Sequence, residues 1–83
     1  MSDNTQIYDK VMDILTDVTG DPVVREDPDI NLPEEGLIDS MGYMELLMDV
    51  EDSLGIVIAP AEYTKEEMDT PRKIAAVVES KSR

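Results

Sequence analysis

Eighty-three residues supply one small domain with a single modest core, too little chain for a deep enzymatic cleft between lobes. Twenty acids against seven Lys and Arg leave a net charge of −13, which repels phosphate backbones and anionic headgroups, so neither nucleic acid nor direct membrane insertion is expected. With no cysteine and no histidine the chain lacks disulfides, a thiolate nucleophile, the usual general base and the usual zinc ligands, and neither catalytic residues nor a metal site is expected.

The opening MSDNTQIYDK has no basic region and no apolar run, and no segment approaches the roughly 20 apolar residues of a membrane span, so a cytoplasmic protein is expected. Like charge of this size also favours a monomer. From Ile7 the apolar positions Ile7, Val11, Ile14, Leu15 and Val18 follow helical spacing, with Asp3 and Gln6 as a capping box and Gly20 as the stop. A long loop follows to Ile38. Its three prolines and many turn formers argue against regular structure, and Val23, Val24, Ile30, Leu32, Leu37 and Ile38 are its expected anchors to the core. A connection of that length usually signals function or tethering.

Asp39 or Ser40 can cap a second long helix that runs through Leu54 and stops at Gly55. The stretch IVIAPAEY allows only a short extended piece and one helical turn after Pro60. Thr70 as N-cap and Pro71 as first helical residue open a last helix with Ile74, Val77 and Val78 inward. Three substantial helices and one short one, with no strand pair, predict an all-α fold, a small irregular helix bundle.

The helix after Ser40 carries more apolar residues than one face can hold. At 100° per residue with Met41 at zero, Leu46, Leu47, Val50 and Leu54 fall at about 140°, 240°, 180° and 220°, with Tyr43 near 200°. Met44 and Met48 fall at about 300° and 340°, so with Met41 they form a second stripe roughly 140° from the first. Glu45 and Asp52, at about 40° and 20°, and Glu51, at about 280°, rim that stripe, whereas Asp49, near 80°, lies off it as ordinary solvated charge. Methionines commonly fill gaps in cores. Here the leucine face already occupies the core, so the methionine face is expected to be exposed as an adaptable docking surface, with Met41 and Met44 as its chief contacts. The charge pattern agrees: eleven acids and no Lys or Arg lie between Glu26 and Thr64, a field that steers basic protein surfaces toward this part of the chain.

As an isolated feature, Ser40 at a helix start is an ordinary cap, although the same position favours an attached phosphate. The run Gly36-Leu37-Ile38-Asp39-Ser40-Met41, followed by Glu45-Leu46-Leu47, resembles the G-x-x-D-S-[LM] signature of acyl and peptidyl carrier proteins. The resemblance implies a four-helix carrier bundle spanning residues 1–83 as one domain. It implies 4'-phosphopantetheine, taken from coenzyme A, esterified to Ser40, with Asp39 as the acid that precedes the serine. The arm would bring the thiol that the chain lacks.

Asp39-Ser40-Met41-Gly42, Val57-x-x-Pro60-x-Glu62-Tyr63 and Asp69-Thr70-Pro71-x-Lys73-Ile74 look most like the D-alanyl branch of that family in Gram-positive bacteria, over about Ile7 to Glu79. Tyr43, Met68 and Tyr63 stand where that branch more commonly has Thr, Trp and Phe. The branch implies a protein that catalyses nothing itself and serves three partners: a phosphopantetheinyl transferase, an ATP-dependent D-alanine-activating ligase and the membrane acyltransferase system that decorates lipoteichoic acid. A carrier of fatty acyl groups or other amino acids is the alternative. An acidic module without the arm is weaker, either a plain interaction adaptor that uses the methionine helix or a calcium sensor: Asp27, Asp29 and Asn31 match positions 1, 3 and 5 of an EF-hand loop, but Leu32 replaces its glycine and Ile38 its bidentate Glu.

Overall fold

The computed structural model describes residues 4–82 and orders them as α1 (Asn4–Thr19), a short α2 (Val23–Glu26), α3 (Ser40–Leu54) and α4 (Pro71–Lys81). Two 3-10 turns, Pro60–Glu62 and Lys65–Met68, lie between α3 and α4. There is no strand among the described residues, and the expected helical bundle is present. Asp3, the N-cap half of the capping box expected with Gln6, lies outside the described residues.

α1 packs against both α3 and α4. Its buried face is therefore wide: Val11, Ile14 and Leu15 are buried as their spacing implies, and Met12 is wholly buried beside them. Leu46 and Val50 of α3, Ile74, Ala75, Val77 and Val78 of α4, and Val24, Leu32 and Ile38 of the long loop complete the centre. Gly20 and Gly55 end α1 and α3 at φ of 72° and 69°, a left-handed backbone that only glycine adopts without strain. Their amides donate to the carbonyls of Thr16 and Glu51, closing the last turns.

The long connection departs from expectation in one respect. It contains α2, one helical turn started by Asp21, whose Oδ1 accepts from the Val23 amide at 3.0 Å. The turn buries Val24, while Arg25 reaches back to the Asp9 and Asp13 carboxylates of α1. Those carboxylates raise the Arg25 pKa through hydrogen bonding. Of the expected anchors, Val24, Leu32 and Ile38 are buried and Ile30 and Leu37 pack against the core from a half-buried position. Val23 is half-exposed and outside the core.

Tethering is the loop's main property. The Leu32 amide donates to the Asp69 carbonyl at 2.8 Å, the Arg72 amide to the Pro28 carbonyl at 2.9 Å and the Leu37 amide to the Leu32 carbonyl at 2.9 Å. Asn31 Nδ2 reaches Asp69 Oδ2 at 3.3 Å, and Arg72 Nε donates to Asp29 Oδ1 at 2.8 Å. The guanidinium holds the Asp29 carboxyl below its ordinary pKa, so this acid serves as a surface ion pair. α4 begins where expected, with Thr70 Oγ1 accepting from the Lys73 amide at 3.2 Å and Pro71 following in the first turn.

The burial pattern separates two kinds of α3 residue by their effect on stability. Leu46→Ala is expected to lower the unfolding free energy by about 2–5 kcal/mol, as for a buried leucine. Met44→Ala is expected to change it by less than about 0.5 kcal/mol, as for a surface residue. Urea denaturation of both variants measures the contrast, and comparable losses would contradict the division of the helix.

Candidate functional site

Ser40 is the first residue of α3 and is exposed. The residue in the cap position is Asp39, in extended backbone geometry, whose Oδ1 accepts from the Gly42 amide at 2.8 Å. A cap of this kind contributes about 1 kcal/mol to the helix. The Tyr43 amide is taken by the Asp39 carbonyl. Among the described residues, the Ser40 and Met41 amides and the Ser40 hydroxyl have no hydrogen-bond partner. Ser40 thus combines an exposed hydroxyl with free N–H groups at the positive end of a 15-residue helix, an arrangement that suits a phosphodiester.

Gly42 makes this geometry possible in a way unrelated to backbone freedom. A Cβ there would lie 2.7 Å from Ile38 Cγ1 and 3.4 Å from Asp39 Oδ1. Ile38 is buried, and the clashing atom is its branch carbon, not the free end of the chain. The absent side chain lets Ile38 seat under the first turn, which aims Asp39 at its amide and turns Ser40 to solvent.

The second expected feature is the methionine face. Met41, Met44 and Met48 are exposed by 80%, 51% and 64%, against 0% for Leu46 and Val50 on the same helix. Met41, Met44, Glu45 and Met48 line one shallow groove, and Met48, Asp49, Glu51 and Asp52 line the next. Glu45, Glu51 and Asp52 are exposed, as the angular reading expects. Asp49 is half-buried and borders the second groove, closer to the methionines than its angle suggested. Val57, exposed by 64%, is a further exposed apolar residue that helical periodicity could not flag because it lies outside any helix.

Tyr43 occupies the core-facing side of α3 and is half-buried, its hydroxyl donating to the Met68 carbonyl at 2.7 Å. Burial, with the nearby Asp69 charge adding to it, pushes the phenol up to about 12. The group stays a neutral donor at any physiological pH.

Residues 9–78 match the PP-binding family, described as the phosphopantetheine attachment site. The chain belongs to this family. It is a carrier domain, and carriers are worked upon by enzymes without being enzymes. Its cofactor is phosphopantetheine, a group that the exposed hydroxyl and free amides at the head of α3 fit in charge and access. The carrier is 47% identical over 73 residues to the D-alanyl carrier protein of Abiotrophia defectiva, covering 88% of this chain and 92% of that one. It is 44% identical over 73 residues to the D-alanyl carrier protein of Lacticaseibacillus rhamnosus, covering 88% and 90%. It is 41% identical over 74 residues to that of Staphylococcus saprophyticus, covering 89% and 95%. Among the described residues no helix is long and apolar enough to cross a membrane.

Two tests follow from the head of α3. Gly42→Ala gains about 1 kcal/mol of helix propensity but forces Ile38 from its seat at a cost of about 1–3 kcal/mol. A net loss of stability in thermal unfolding is expected, and a stabilised variant would show that Ile38 moves freely. For Tyr43, the folded pKa lies above the unfolded one, so its contribution to stability is complete below about pH 10 and fades as pH rises toward about 12. Tyrosinate absorbance of wild type minus Tyr43→Phe should step near pH 12, and a step near the ordinary tyrosine value would contradict the burial.

Proposed function

We propose that the protein bears 4'-phosphopantetheine on Ser40 and carries D-alanine. A phosphopantetheinyl transferase installs the arm, an ATP-dependent D-alanine-activating ligase loads it in the cytoplasm, and the membrane acyltransferase system that modifies lipoteichoic acid receives the D-alanyl group. The observation that carries this reading is the exposed Ser40 at the head of α3, next to a methionine face with an acidic rim, in a chain akin to D-alanyl carriers. When attached, the arm supplies the thiol that this cysteine-free chain lacks and holds the cargo as a thioester.

The chain's own residues have three tasks. Ser40 Oγ forms the bond to the phosphorus of the pantetheine phosphate as its proton leaves and the bond from that phosphorus to the nucleotide half of coenzyme A breaks. Asp39 holds the first turn in place through Gly42 so that the hydroxyl projects outward. Met41, Met44 and Met48 offer flexible apolar contact to each enzyme in turn, while Glu45, Glu51 and Asp52 set orientation and speed arrival of basic partners. One surface serving several partners needs modest affinity and fast exchange, and long-range attraction raises the encounter rate.

Incubation with coenzyme A and a phosphopantetheinyl transferase, followed by intact mass measurement, tests the attachment. Wild type should gain one phosphopantetheine and Ser40→Ala none; a gain that survives the substitution would place the arm elsewhere. The loaded form is then offered to a D-alanine ligase with ATP and D-alanine, L-alanine or fatty acids. D-alanine should be transferred preferentially, and preference for any other acid would overturn the assigned cargo.

A further inference from the structure

α3 is held to the rest of the molecule mainly by apolar packing of Leu46 and Val50, with Leu47 and Leu54 half-buried beside them. Such packing is non-directional: it fixes which side of the helix turns inward but supplies no directional bond to fix the helix's exact rotation about its own axis. Among the described residues, the single hydrogen bond from an α3 side chain to another element is that from the Tyr43 hydroxyl to the Met68 carbonyl. Tyr43 lies one helical turn from Ser40, so whatever fixes the angle of this ring fixes the direction in which the serine and the methionine face point.

The acceptor sits in a segment that is itself well held. The Met68 side chain is buried, and the following residue, Asp69, receives the Leu32 amide on its carbonyl and Asn31 on its carboxylate. From α4, Lys73 Nζ donates to the Glu66 carbonyl at 3.0 Å and stands 3.1 Å from Asp69 Oδ1 as a charge partner. That contact is off the hydrogen-bonding direction, so Asp69 Oδ1 has an ion pair without a donor. Met68 and Asp69 together join α3, the loop that leads into Ser40 and the start of α4.

We infer that Tyr43 is a positioning residue: by donating to the Met68 carbonyl it sets the rotation of α3 against the 65–69 segment, and thereby the direction in which Ser40 and Met41, Met44 and Met48 are offered to a partner. It touches neither the arm nor the reacting atoms and acts through the helix. Without the hydroxyl, α3 samples several rotations, of which only a fraction presents the serine and its flanking face in register. Apparent affinity for a partner falls in proportion to that fraction, while the chemistry after docking is unchanged. The buried phenol, kept neutral, remains a donor throughout the physiological range.

The inference rests on Ser40 as the attachment residue, and its test separates the two. Tyr43→Phe keeps the ring and removes the hydroxyl. In transferase-catalysed attachment this variant should show a KM for the carrier raised about fivefold, the size expected for one lost neutral hydrogen bond, with kcat within about twofold of wild type. Ile74→Val, which trims a buried residue of α4 without removing the Tyr43 hydroxyl bond, serves as a control for general destabilisation and should leave KM unchanged. A Tyr43→Phe KM equal to that of wild type, or an equal rise in Ile74→Val, overturns the positioning role while leaving Ser40 in place. A wild-type protein that accepts no arm overturns the attachment reading instead. Residual dipolar couplings of the α3 amides, measured on the unmodified protein, need no loading: Tyr43→Phe should alter them relative to those of α1 and α4, and unchanged couplings overturn the inference.

Discussion

Burial of Leu46 and Val50 in the core shared with α1 decides which side of α3 turns inward and which side is left to solvent, and the finer rotation that Tyr43 is inferred to set operates within that choice. An α-helix has a fixed angular pitch, so seating these two residues forces Met41, Met44 and Met48 outward, where they stand more than half exposed. Among the described residues no second layer covers them. An exposed apolar surface rimmed by charge is the kind of surface that serves binding, in keeping with the proposed docking role of this face.

The head of the helix obeys a related constraint. A serine proposed to carry a phosphodiester must project from a rigid element and still lie within reach of unpaired amides. Asp39 meets the first need by capping Gly42 with its carboxylate, and Gly42 permits it by lacking the Cβ that would strike Ile38. The loop before it is tied to Asp69 and Arg72 by backbone hydrogen bonds, so Ser40 is approached by ordered chain on both sides. Charge is arranged to the same end. Arg25, Arg72, Lys73 and Lys81 are all engaged with carboxylates outside α3, which leaves the acids of α3 unneutralised by any described Lys or Arg. The exposed ion pairs add little stability individually. Their effect is to concentrate negative potential on the helix that carries the proposed arm.

Much of this was legible in the sequence because it depends on helical period and on end signals. The three long helices, their glycine and threonine boundaries and the two faces of α3 all follow from spacing and residue type. What depends on distant partners was not legible. α2 escaped notice because its four residues stand among prolines and β-branched valines, and it is held by Asp21 and by Arg25 reaching α1. Met12 is buried because α1 is covered from two directions, whereas the spacing of Ile7, Val11, Ile14, Leu15 and Val18 marked only one stripe. Asp39 and Ser40 are both cap-forming residue types, and only the backbone geometry assigns the cap to Asp39. Tyr43 and Met68 looked like two unrelated departures from the D-alanyl branch. Tyr43 in fact bonds the backbone carbonyl of residue 68 across 25 residues of chain, a contact that owes nothing to the Met68 side chain.

The central claim is that one helix keeps a leucine face for the fold and a methionine face for enzymes. Methyl-labelled methionine spectra of the carrier, recorded while a D-alanine-activating ligase is added, test it directly. The account predicts that the exposed Met41, Met44 and Met48 resonances shift or broaden while those of the buried Met12 and Met68 hold their positions. Perturbation of Met12 and Met68 with the three α3 methionines unmoved would contradict it.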